Sequence, residues 1–225
     1  MKTWIKRLAV SLGIVTALFV FAPQIHIPFV QDIVHQVSAD ATNKYWVGGT
    51  GNWSDATNHW ADSSGGAPGV GNLPSATRNA WFDANSSTGA GQIVTVDVNS
   101  DALSLSFVGS TNAPTFACTA FLSVYGDITW ISAMTISSGN GIRLAGAGNH
   151  AITTNGANVD LNFSNTGTNT GIVNFMDNYT GNITLGGGAA GATWNFGSYT
   201  FNLGISVLNE NRAEATKINL GSSTI

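Results

Sequence analysis

Gln92-Ile93-Val94-Thr95-Val96-Asp97-Val98-Asn99-Ser100-Asp101-Ala102-Leu103-Ser104-Leu105-Ser106-Phe107-Val108 opens a stretch that runs to Ile225 and decides the fold. Val, Ile, Leu and Phe alternate here with Thr, Ser and Asp, the period-2 pattern of strands that bury one face. Similar runs return at residues 121–125, 142–144, 159–163, 172–175, 183–185, 194–196 and 201–203. Gly and Asn separate the runs, and both residue types accept the positive φ that sharp corners need. No segment places apolar residues at helical spacing behind a capping residue.

The interval between runs chooses the architecture. Leu103, Leu122, Ile142, Val159, Ile183, Phe201 and Ile218 stand at comparable run centres, roughly 17 to 24 residues apart. That interval suits stacked repeats, so the expected fold is an all-β, single-stranded parallel β-helix, or β-solenoid. A β-sandwich is the alternative, because hairpin-type Asn140-Gly141 and Asn155-Gly156 steps occur. Sandwich strands recur at shorter intervals of about 8–12 residues. In the solenoid, Val159, Leu161, Phe163 and Ile183 are expected to point inward. Eight Asn residues crowd positions 155–182. Most are expected in turns, and a minority in ladders of stacked amides.

Composition agrees. Only 9% of the 225 residues are charged while 43% are hydrophobic, so a core can form and disorder is excluded. The net charge is −4, with basic residues concentrated at the start of the chain, which argues against nucleic acid as a partner. The single cysteine, Cys118, has no intrachain partner and is expected as a small buried strand residue.

Three segments follow from this reading: a leader at 1–39, a Trp/Gly-rich N-terminal capping module at 40–91, and solenoid repeats at 92–225. Lys2, Lys6 and Arg7 precede an apolar run at residues 8–22, the layout of a secretory signal, with Val37-Ser38-Ala39 offering a cleavage site before Asp40. An uncleaved anchor, a leader helix formed by residues 8–22, is the alternative, and the leader is then the chain's membrane contact. The expected location is secreted or at the cell surface. The chain stops inside a strand-like repeat at residues 219–225, so the sequence predicts an incomplete solenoid that self-associates through its C-terminal rung.

The capping module holds Tyr45-Trp46-Val47-Gly48-Gly49-Thr50-Gly51-Asn52-Trp53, then Asn58-His59-Trp60 and Trp81-Phe82-Asp83. Its aromatic residues are expected to close the first turn, as atypical terminal repeats do. Trp53, Trp60 and Trp81 are also the candidate ligand-binding residues, because flat aromatic faces stack on sugars and make surface glycans or polysaccharides candidate partners. These motifs resemble the opening of Gly/Thr-rich β-helical surface proteins of bacteria and phages, adhesin-like exported proteins and virion or tail proteins. The resemblance implies architecture and surface location, and carries no functional residues with it.

An enzymatic reading finds little material. A glycosidase needs two facing carboxylates, and Asp97, Asp101, Asp127, Asp160 and Asp177 show no convergent spacing. A polysaccharide lyase needs a basic partner, and Arg143 is the one basic residue between Arg78 and Arg212. After the leader, His59 and His150 lack a second ligand at any recognised metal spacing. No phosphate loop or nucleophile elbow is present. The sequence therefore predicts a non-catalytic exported surface protein without cofactor or metal: a rigid stalk or adhesin-like structural protein. A carbohydrate-active β-helix, polysaccharide-binding or -cleaving (lyase or glycosidase), and a phage-type virion structural protein are the alternatives.

Overall fold

The structure is a computed structural model that describes residues 42–137, 139–160, 163–165, 171–186, 193–209, 217–222 and 224. The leader, and with it the apolar run at 8–22, lies outside the described residues. The rest of the chain, Asp40–Ile225, is one compact unit. It is a parallel β-solenoid. Every strand pair among the described residues is parallel except one, which overturns the sandwich alternative.

The first turn is irregular. It contains β1 (Asn43–Trp46), β2 (Gly51–Asn52), the single helical turn α1 (Ala56–His59) and β3 (Trp60–Ala61). Asp55 caps α1 by accepting from the Asn58 N–H at 3.2 Å. The Asn58 side-chain amide, also hydrogen-bonded to Asp55, holds that carboxyl below its ordinary range. Three strands per turn follow: β4 (Asn79–Trp81), β5 (Ile93–Val96) and β6 (Ser100–Ala102), then β7 (Leu105–Ser106), β8 (Thr115–Cys118) and β9 (Leu122–Val124). The next turns are β10 (Ile128–Thr129), β11 (Thr135–Ser137) and β12 (Ile142–Leu144), and β13 (His150–Thr153), β14 (Asn158–Asp160) and β15 (Phe163–Asn165). The last described turns join two faces in one long strand: β16 (Ile172–Phe175) with β17 (Tyr179–Gly186), and β18 (Thr193–Asn195) with β19 (Phe201–Asn209). β20 (Lys217–Asn219) follows them.

Each strand of a turn pairs with its counterpart in the next. The first sheet has nine strands in the order β20-β18-β16-β13-β10-β7-β4-β1-β3. The second runs β11-β8-β5-β2 and the third β15-β12-β9-β6. A fourth, β14-β17-β19, continues the coil where β14 meets β11 and β17 meets β15. The register of β17 against β19 shifts between Gly181 and Ile183, a bulge in the middle of the long strands. Asn155 and Gly156, both at positive φ, turn the chain from the first sheet into the fourth. The Asn-Gly step is thus a solenoid corner and closes no hairpin.

The strands are shorter than the sequence runs that announced them, because corners cut them after two to four residues in most turns. Leu103, taken as a run centre, lies in the corner between β6 and β7, whereas Leu122 and Ile142 are true register partners. The centres belong to different sheets, so their spacing caught the length of the turn but not its phase. Val159 is buried as expected. Leu161 and the side chains of Phe163 and Ile183 fall outside the described residues.

Inward residues fill a continuous core. Near the start it is aromatic: Trp46, Trp53, Trp60, Phe82, Phe107, Phe116 and Trp130. The middle is aliphatic, with Ile136, Ile142, Leu144, Ile152, Val159 and Val173. Aromatic packing returns at Phe175, Tyr179, Trp194, Phe196 and Phe201. Cys118 is buried in β8, and burial pushes its thiol up to about 12.

The open edge of the first sheet is closed at its start. β3 lies antiparallel to β1 there, and Pro68 bridges Ala61 on its far side. Proline has no N–H to offer, so it blunts an edge strand against further pairing.

Candidate functional site

The first-turn module builds an aromatic box. Gly48 turns the chain at φ +82° after β1, and His59 returns to place its ring flat on Trp46, with centroids 4.5 Å apart. A Cβ on Gly51 would sit 2.0 Å from His59 Nε2, so only glycine leaves room for that ring. His59 Nδ1 lies 2.9 Å from the Val47 carbonyl and, facing an acceptor, donates to it. Trp60 donates its indole N–H to the Trp53 carbonyl at 2.8 Å, and Trp46 donates to that of Gly49 at 2.7 Å. The polar edges of these two indoles are therefore satisfied inside the protein.

This places the three candidate tryptophans differently. Trp53 and Trp60 are 1% and 0% exposed and meet edge to face at 4.8 Å, offering no face to a ligand. Trp81 stands on the outer side of β4, half-buried, beside its register partner Tyr45. Their ring centroids are 6.5 Å apart. Tyr45 was not among the candidates, although alternation from the inward Trp46 already points it outward.

The acids occupy three separate corners. Asp97, after β5, accepts from the N–H of Ser54 at 3.0 Å and from its hydroxyl at 2.6 Å. Asp127, before β10, accepts from the N–H of Ala151 at 2.8 Å. Asp177, after β16, accepts from the N–H groups of Thr154 and Asn155 at 2.8 and 2.5 Å and from the Thr154 hydroxyl at 3.1 Å. Asp101 is exposed on the outer face of β6. The side chain of Asp160 lies outside the described residues. No protein-family model, no curated protein and no solved structure matches the chain.

The corner acids thus join consecutive turns. Asn side chains act the same way: Asn99, Asn149 and Asn178 accept the N–H of Phe121, Ile172 and Thr200, each 22 or 23 residues further on. Of the Asn residues expected to form amide ladders, Asn174 does so, accepting from Asn195 at 2.9 Å; a second amide pair, Asn79 donating to Asn43 at 2.8 Å, lies outside the stretch where ladders were expected. A ladder in a parallel sheet needs the same residue type at the same register in successive turns. Asn43 with Asn79, and Asn174 with Asn195 and Asn219, meet that condition.

Among the described residues, the remaining ionisable groups stand alone or in pairs. Lys44 is buried and paired with Asp62, with Asn72 Oδ1 at 3.3 Å. Arg143 lies over the Phe121 ring, 3.4 Å from its centroid. His150 is buried in β13 and donates from Nδ1 to the Gly126 carbonyl at 2.7 Å. Among the described residues no three His, Cys, Asp or Glu side chains gather as a metal site would require. No helix among the described residues is long and apolar enough to cross a membrane.

Proposed function

We propose that the chain is an exported, non-catalytic surface protein whose solenoid acts as a rigid spacer, in the manner of an adhesin stalk. One observation carries the reading: Asp97, Asp127 and Asp177 are engaged in turn-to-turn hydrogen bonds at three different corners. A glycosidase-like mechanism needs two carboxylates facing one another across a cleft. The leader at 1–39 and the low charge of the chain support the location.

Expression of the full chain, leader included, with an epitope tag and protease treatment of intact cells tests the location. The reading expects a tag removed by protease without lysis. A second arm incubates the purified protein with neutral and acidic polysaccharides and assays reducing ends and unsaturated products. Protein retained inside the cell, or product formed and lost in Asp97→Asn or Asp127→Asn, would overturn the reading.

A further inference from the structure

The outer face of the first sheet has an organisation that the stalk reading leaves unused. Tyr45, Trp81, Ser106, Thr129 and Thr153 occupy one column, each the register partner of the next. Their inward neighbours Trp46, Ala80, Leu105, Ile128 and Ile152 are buried, so the column faces away from the core, with Ser106 itself only 7% exposed between its larger neighbours in the column. Beside it runs the polar column that begins with the Asn43–Asn79 amide pair and continues through Ser104 and Asp127, where Ser104 Oγ accepts the Asp127 N–H at 3.1 Å.

We infer that this strip binds a neutral, extended β-1,4-linked glycan lying along the solenoid axis, with Tyr45 and Trp81 stacking on its sugar rings. The inference rests on the surface-protein reading and adds the class of molecule held there. Three features select the occupant. A pyranose ring has an apolar C–H face and a hydroxylated rim, which match a half-buried aromatic ring flanked by hydroxyls and amides. Successive positions in the column are about 4.8 Å apart, so the five positions span roughly 19 Å. A β-1,4 linkage keeps a glycan extended, so one chain can follow the column along its length. The two columns hold one carboxylate, Asp127, already bonded to the Ala151 N–H, and no Lys, Arg or His. Nothing on it attracts an acidic polysaccharide, and a neutral chain leaves no charge unpaired.

The test measures binding of the purified full-length protein to cellohexaose and chitohexaose by calorimetry, with oligogalacturonate as the acidic comparison. Tyr45→Thr and Trp81→Thr remove the rings but keep the residue type found further along the column, which suits an outward strand position. At least one neutral hexasaccharide is expected to bind, insensitive to salt, and each replacement is expected to weaken it about tenfold with the circular dichroism unchanged. Absence of neutral binding, binding unaffected by both replacements, or preferential salt-sensitive binding of oligogalacturonate would each overturn the inference. Unfolding of both variants would also overturn it, because the rings would then be packing elements. These failures leave the surface reading standing if protease still reaches the protein on intact cells, whereas an intracellular protein would remove that reading itself.

Discussion

Replacing Phe107 tests how the turns are held together. Its ring is fully buried just after β7. It stacks on Phe82 of the preceding turn with centroids 4.2 Å apart and planes 5° from parallel. It meets Phe116 of its own turn at 5.6 Å and Trp130 of the following turn at 5.3 Å. Phe107→Ala removes the ring and leaves a void that neighbouring turns cannot fill, because each strand is pinned in register to the next. The expected cost is about 3–5 kcal/mol, a large share of a typical stability of about 5–15 kcal/mol. The midpoint of thermal unfolding should fall by roughly 10 °C. Phe107→Leu keeps much of the volume and should cost roughly half as much. Because each turn contacts only its neighbours, the loss should also reduce cooperativity. Indole fluorescence, dominated by the aromatic first turns, should then report unfolding at lower denaturant than circular dichroism. A cost under about 1 kcal/mol, well below the range for a packed ring, would refute the stacked core. Coincident transitions in the variant would refute nearest-neighbour coupling as the source of stability.

Gly51→Ala should destabilise the first turn by more than about 1 kcal/mol, because its Cβ would collide with His59. Adding His59→Ala should recover part of that loss in a denaturation-based double-mutant cycle. Asp177→Ala removes the acceptor for three donors from Thr154 and Asn155 and should cost about 1.5–3 kcal/mol, with Asp177→Asn costing less. Cys118, with its thiol raised to about 12, should resist iodoacetamide in the folded protein at mildly alkaline pH and react on denaturation, as followed by mass spectrometry.

The turn length and the inward faces were legible in the sequence because alternation is a local property of strands. The runs at Ile142–Leu144 and Ile172–Phe175 coincide with β12 and β16. Other strands were not legible. β10, of two residues, is too short to alternate, and β13 opens with His150, a residue that sequence patterns score as polar. The burial of His150 depends on the Gly126 carbonyl supplied by the preceding turn, 24 residues away. Trp53, Trp60 and Trp81 looked equivalent as candidates. What separates them is register and the fold of the first turn: Trp53 and Trp60 point into the box that His59 and Gly51 shape, and Trp81 points out of β4. The acids were hard to assign for the same reason. A carboxylate that accepts an N–H from an adjoining turn leaves no local trace, since its partner is 22–24 residues away.

The coupling between turns follows from those long-range bonds. Parallel strands alone fix the spacing between turns, but a corner with free N–H groups can fray and let successive turns slip. Here Asn99, Asn149, Asp127, Asp177 and Asn178 place an acceptor on backbone N–H groups of an adjoining turn. Slippage by one residue would turn the inward Val, Ile and Phe to solvent and break the corner bonds at the same time. The two penalties fall on the same displacement, so each turn is held by its core and its corners together. A chain with few charges can use this device repeatedly, because neutral amides serve at three of the five positions named. The outer faces of the sheets stand apart from this core. One of those faces carries an aromatic pair that the core does not use.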